Sequence, residues 1–291
     1  MKAQKMAFDP GRLLAFQIPE IRQRVSPRDV AFYALSVGLG QDPLDTRALD
    51  FVDPARGLKA LPTMATVLGH PGFWLADERT SVDAGQLVHG EQAVVLHRPL
   101  PTDREVIGRT AITGLVDKGA GRGALLYTEK TVTDAATGAP LATTATTTFL
   151  RADGGFGKGV GEARPPHPMP THEADLVVDL PTRPEQALYY RLNGDDNPLH
   201  SDPSAAARAG FPRPILHGLC TMGVVCHALL GALGEYDASA MRDVRLRFAS
   251  PVYPGETIRT EMWHDGSFRA RVVERDTVVV NNGRVVFGSE L

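Results

Sequence analysis

Two stretches of this chain follow the same order: a capped helix, a turn, and then strands. In the first, Ser26 stands at the N-cap, Pro27 at the first helical position and Asp29 in capping-box register. An apolar run through Val30, Tyr33, Leu35 and Val37 then ends at Gly38. In the second, Thr182 and Glu185 repeat the box with Pro184 inside the first turn, and a helix is expected over residues 185–192. Ala31-Phe32-Tyr33 lines up with Ala187-Leu188-Tyr189, and Gly38 with Gly194. Asp42-Pro43-Leu44-Asp45 resembles Asn197-Pro198-Leu199-His200, displaced by one residue. Further on, Arg98-Pro99-Leu100-Pro101 answers Ser250-Pro251-Val252-Tyr253-Pro254. The repeat is faint but ordered, and it implies two copies of one α+β unit packed together.

Strands are read from alternation and β-branched residues over 92–97, 105–116, 124–132 and 140–150, with a turn at Asp134 to Gly138 between the last two. In the second copy, Asn281-Asn282-Gly283 reads as a late hairpin turn. Between the copies, the glycines of residues 154–161 give way to Arg164-Pro165-Pro166-His167-Pro168. No strand feeds those glycines and no helix follows them, so they read as flexible linker and not as a phosphate loop. The units are thus residues 1–160 and 178–291, joined by a linker at 161–177.

Composition closes off several functions. The net charge of −3 and scattered basic residues give no footprint for nucleic acid. No apolar run is long enough for a membrane span, and neither terminus carries a leader or a Ser-Lys-Leu ending, so a cytoplasmic protein is expected. Cys220 and Cys226 lie in an apolar helical stretch, without metal-binding spacing, and read as buried thiols in a reducing compartment.

Two segments carry candidate chemistry. In residues 190–203, Gly194 can end the helix as a left-handed C-cap, and Asn197-Pro198 holds an irregular turn from Asp195 to His200. Such a turn brings a carboxylate and an imidazole onto one wall, where they can orient and polarise a water. By spacing alone it is equally an acidic solvated loop or a weak calcium site, given Asp196 and Asp202. In residues 210–223, prolines forbid helix before about Ile215, so Leu216-His217-Gly218 opens a buried helix. The unpaired N–H groups at that end suit a developing oxyanion, and a glycine lets a ligand approach; a plain helix entry explains it too. His217 reads either as a third member of the site or as a structural histidine. His89 and Glu91 read as structural. Lys118 and Arg122 flank a glycine hairpin tip, and they, like Arg213, are open between contacts to ligand phosphates and ordinary surface charge.

Taken together, Tyr190-Arg191-Leu192-Asn193-Gly194-Asp195-Asp196-Asn197-Pro198-Leu199-His200 and Ile215-Leu216-His217-Gly218-Leu219-Cys220-Thr221-Met222-Gly223 resemble the motifs of the MaoC-like hydratase 2 family. The first half resembles that family's non-catalytic half at residues 33–38, 61–63, 67–69, 87–92 and 117–119. The resemblance implies a double hotdog, each unit a long central helix wrapped by an antiparallel sheet, with one active site per chain in the second unit. Asp45 stands where His200 does, and Leu39 or Gly40 where Asp195 does, so the first copy lacks the pair and is freed to accommodate an acyl chain.

What the resemblance implies functionally is syn hydration of a trans-2-enoyl-CoA to the (3R)-3-hydroxyacyl-CoA in fatty acid metabolism. Asp195 and His200 would share acid–base work on one water, Asn197 would shape the water site, and the Gly218 N–H would receive the thioester oxygen. Lys118, Arg213 and His217 are the candidate substrate-binding residues. No metal and no cofactor beyond the coenzyme A of the substrate is expected, and a homodimer is expected. The rival readings are a dehydratase of a branched or dicarboxylic acyl-CoA, or a non-catalytic acyl-CoA-binding hotdog partner, which should have lost Asp195 or His200.

Overall fold

The computed structural model describes residues 8–288; residues 1–7 and 289–291, on which the reading of the termini falls, lie outside it. In chain order the elements are α1 (Pro10–Ala15), β1 (Ile21–Val25), α2 (Pro27–Ser36), α3 (Leu49–Val52), β2 (Leu87–Leu96), β3 (Arg104–Asp117), β4 (Ala124–Asp134) and β5 (Pro140–Leu150). The second half adds β6 (Leu176–Pro181), α4 (Gln186–Tyr190), α5 (Pro203–Arg208), α6 (Gly218–Leu233), β7 (Met241–Phe248), β8 (Thr257–Met262), β9 (Ser267–Val272) and β10 (Thr277–Phe287).

All ten strands form one sheet in the order β1-β3-β4-β5-β2-β7-β10-β9-β8-β6. Counted outward from the centre, each half has the same sequence of strands, so the repeat seen in the chain is a repeat in space. The halves are stitched where β2 meets β7, with Glu91 opposite Arg247 and Val95 opposite Asp243. This antiparallel seam joins residues far apart in the chain and closes the inner edge of both units.

α6 is the element the sheet wraps. Ten of its residues, from Cys220 to Leu230, are buried, on all sides of the helix. A helix without a polar face can only exist enclosed, and α6 packs against β6, β7 and β8. Gly223 permits that enclosure: a Cβ there would stand 2.4 Å from the Val37 side chain just past α2. No helix among the described residues is long and apolar enough to cross a membrane.

The two units differ in that helix. At the corresponding place, the first has only a buried 3-10 turn, Pro62–Thr66, and after Val67 and Leu68 comes Gly69-His70-Pro71-Gly72, which cannot propagate a helix. Lys130 on β4 pins the turn, its ammonium donating to the carbonyls of Ala65, Thr66 and Leu68 at 3.1, 2.8 and 2.6 Å. The long central helix implied for both units is therefore present in the second alone.

Local expectations divide in the same way. The capping box of Ser26 and Asp29 is formed. That of Thr182 is not: its hydroxyl donates to the Glu256 carbonyl and accepts the Gly255 N–H, and α4 starts at Gln186, whose side chain accepts from Arg183. Asn281-Asn282-Gly283 makes no hairpin. It lies inside β10 as a bulge, with Asn282 at φ 53° donating to the His167 carbonyl. Gly283 is required there, because a Cβ would stand 2.4 Å from the Phe268 ring. The glycine run ahead of the linker is tethered and not free. The Asp117 carboxylate accepts the N–H groups of Gly119, Gly155 and Gly157 at 2.7, 2.7 and 2.6 Å.

Candidate active site

α4 continues as a 3-10 turn, Arg191–Asn193, and stops at Gly194 with φ +105°, the left-handed cap that only glycine adopts freely. The chain then turns back over its own helix. Asn197 drives the reversal: its side-chain oxygen accepts the Leu199 N–H at 3.0 Å and caps the short turn Pro198–His200. Asp195 is tied to the same turn by the Asn197 N–H at 3.3 Å. The anchor beneath is Ser36 at the end of α2, which takes Gln186, Asn193 and Cys220 of the second unit on its carbonyl and hydroxyl.

The second segment comes to meet the first. Leu216 N–H bonds the Val252 carbonyl at 2.7 Å, fixing the strand-like approach, and His217 becomes the N-cap residue of α6 with Gly218 its first residue. The N–H of a first helical residue has no partner in its own helix. A Cβ on Gly218 would stand 3.2 Å from the Phe248 ring at the end of β7, so the Phe248 side chain comes close to the Gly218 Cα.

Asp195, His200 and His217 thereby converge, each offering a polar atom within 4.8 Å of the others. Asp195 is half-buried, while His200 and His217 are 9% and 1% exposed. His200 Nδ1 lies 2.9 Å from the Ile215 carbonyl. A carbonyl only accepts, so Nδ1 carries the proton and Nε2 keeps its lone pair. His217 Nε2 lies 3.2 Å from the Asp195 carbonyl and donates to it, leaving its buried Nδ1 without a partner. The two imidazoles stack with centroids 3.7 Å apart and planes 28° from parallel. A carboxylate and an imidazole this close can share a water or a proton.

Burial sets the protonation of both rings. It pushes the His200 pKa down, opposed by the Ile215 hydrogen bond and the Asp195 charge. It drives His217 down to about 2, with repulsion from His200 adding to the effect. Both are neutral at pH 7. In the unfolded chain a histidine protonates near 6.5, so as pH falls below that value the unfolded state takes up protons that native His217 refuses. Stability is therefore full above about 6.5 and is lost below it, by about 1.4 kcal/mol per pH unit for this histidine. Several buried histidines add to the loss of stability between pH 7 and pH 5, and the share of His217 is about 2 kcal/mol, so urea unfolding should show a loss smaller by about that amount in His217→Phe than in wild type; an equal loss in wild type and variant would exclude this assignment.

The first unit supplies residues that sequence reasoning set aside. His89 on β2 packs edge-on to Phe248 at 4.9 Å, and its Nε2 is 3.1 Å from Gln92 Oε1. Gln92 spends its amide N–H groups on two carbonyls, so it accepts from His89. His70, just after the pinned turn, accepts the Gly72 N–H on Nδ1. Burial lowers the pKa of both, His70 to about 4, and both feel the Asp195 charge. Glu91 instead accepts from Thr147. Asp45, the counterpart of His200, accepts the Tyr236 hydroxyl at 2.9 Å in a chain that ends on His227. Lys118 lies at the β3–β4 hairpin over the Phe149 ring, and Arg213 lies over Tyr253 with a bond to the Pro254 carbonyl.

Residues 167–285 match the MaoC like domain, and residues 24–152 match the MFE-2 hydratase 2 N-terminal domain. The chain belongs to the MaoC-like family. An Arabidopsis thaliana protein named peroxisomal enoyl-CoA hydratase 2 is 37% identical over 96% of this chain and 96% of its own length. A Mycobacterium tuberculosis protein named 3-hydroxyacyl-thioester dehydratase Y is 39% identical over 97% of this chain and 99% of its own. The crystal structure of a MaoC-like dehydratase from Phytophthora capsici superposes with a TM-score of 0.84 at 31% identity, covering 97% of this chain and 100% of that one. A more distant M. tuberculosis structure described as a double hotdog, 16% identical with a TM-score of 0.55, covers 93% of this MaoC-like chain and shares its fold. The family and the double hotdog read from the motifs both hold.

Proposed function

We propose that this protein is a hydro-lyase that adds water reversibly across the trans-2 double bond of an enoyl-CoA and yields the (3R)-3-hydroxyacyl-CoA. The observation that carries the reading is the pairing of a half-buried carboxylate with a neutral imidazole whose Nε2 is left free by the Ile215 carbonyl. Two acceptors side by side hold one water by both of its protons, which turns an oxygen lone pair toward the β-carbon. The thioester carbonyl makes that carbon electrophilic, and the Gly218 N–H, at the positive end of α6, would receive the charge that develops on the thioester oxygen. As the water oxygen bonds Cβ, one water proton passes to the Asp195–His200 pair, and the pair delivers a proton to Cα on the same face, so Cβ ends with OH, Cα with H, and the pair unchanged. Asp195 and His200 act here as a unit.

Asn197 serves this chemistry by holding the turn that carries His200. Lys118 and Arg213 remain the cations for coenzyme A phosphates. The relatives named hydratase and dehydratase support either direction of the same equilibrium. Incubation with crotonyl-CoA, coupled to an R-specific or an S-specific 3-hydroxyacyl-CoA dehydrogenase, tests the reading. Product oxidised only by the R-specific enzyme is expected; oxidation only by the S-specific one would reverse the assigned face.

A further inference from the structure

His217 is assigned no step in that reaction, yet its geometry ties it to both residues that are. It stands behind His200, 1% exposed, at the N-cap of α6. One edge donates from Nε2 to the Asp195 backbone carbonyl at 3.2 Å. One face lies 3.7 Å from the His200 ring. The Tyr190 ring packs against it at 4.9 Å, tilted by 48°. We infer that His217 is a positioning residue, a flat neutral plate that supports the protonated state of His200 while its N–H fixes the Asp195 end of the loop.

The argument rests on the hydratase reading and adds to it that His200 is the member of the pair that takes up and gives back a proton in each cycle. Imidazolium above the face of an uncharged ring is favoured by the ring's π electrons; above a second cation it would be repelled. The plate must therefore stay neutral while His200 charges. The surroundings enforce this: the unpartnered Nδ1 is shut away from water, and Arg191 adds positive charge nearby. The groups that face the pair are Asp195 and Arg191 from the loop, Tyr190 from α4, and, across from Asp195, His70 and His89 of the first unit. Histidine is the side chain of this size that offers both a flat face and an edge donor. Simple filling of space would need neither.

Three variants separate the two duties. His217→Phe keeps the face and loses the donor. His217→Gln keeps a donor and loses the face. His217→Leu loses both. The pH profile of kcat/KM for crotonyl-CoA should show its His200 limb unmoved in the Phe variant and displaced to lower pH by about 0.5–1 unit in Gln and Leu, with kcat down roughly 3- to 30-fold. KM should change little, because His217, expected from the motif among the substrate-binding residues, is 1% exposed and stacked on His200. A common limb in all three variants, or a Leu variant with wild-type kcat, would overturn the inference. If Leu does not fold, the Phe–Gln comparison carries the same discrimination. Should wild-type protein hydrate neither crotonyl-CoA nor a longer trans-2-enoyl-CoA, the hydratase reading itself fails, and that result is distinct from any outcome at His217.

Discussion

Asp195→Asn lowers turnover of crotonyl-CoA by about a hundredfold or more, and His200→Gln does the same. The substitution at Asp195 changes charge without changing shape. An asparagine oxygen still accepts the N–H of residue 197, so the loop keeps its tie to the Asn197 turn. What is lost is an acceptor for the second proton of the bound water. At His200, glutamine fills part of the space but cannot donate to Ile215 and present a basic lone pair on the opposite side, as Nδ1 and Nε2 do in one rigid ring. Loss of enoyl-thioester absorbance measures the rate, and circular dichroism with thermal melting confirms the fold. Near-wild-type hydration by either folded variant would remove that residue from the acid–base pair; a wild-type protein that hydrates no trans-2-enoyl-CoA would favour a binding role.

The second large effect is expected at a backbone atom. Gly218→Pro deletes the N–H at the first position of α6 and nothing else in the helix needs it. Proline is tolerated at that position, and the preceding residue, His217, has φ −59° and ψ 138°, which a following proline accepts. Gly218→Ala is the control. It adds the same Cβ, 3.2 Å from the Phe248 ring, but keeps the amide. If the N–H stabilises the oxyanion, Pro should fall below Ala by about 10²–10³ in kcat, the worth of one such donor. Equal rates for the two variants would mean that the amide takes no part, and that glycine is present only for packing.

Much of the site was legible because its parts are local. Asp195, Asn197 and His200 share one turn, and its punctuation by Gly194 and Pro198 follows from backbone sterics that act over a few residues. The start of α6 at Gly218 was legible for the same reason: Pro212 and Pro214 forbid an earlier one. The contacts of His217 were not, since they are a ring and a carbonyl brought up from another segment, the carbonyl 22 residues away in the chain. Nor were the tautomers, which a distant carbonyl selects in each case. His89 reads as structural in the sequence, with Glu91, because both stand between a loop and a strand of the half without the motif; its neighbour Phe248 arrives from the other unit.

The same division runs through the fold. Periodicity and turn chemistry settled the α+β class, the doubled unit, the capped α2 and the strand β5 at residues 140–150, because each depends on neighbours in the chain. Only the tertiary structure decided that β2 pairs with β7, that Thr182 gives its hydroxyl to Glu256 and not to a helix, and that Asn281-Asn282-Gly283 bulges within a strand. It also decided that the first unit keeps a Lys130-pinned turn where the second has α6. In those places a local preference competed with a contact from far along the chain, and burial of the distant partner outweighed the preference.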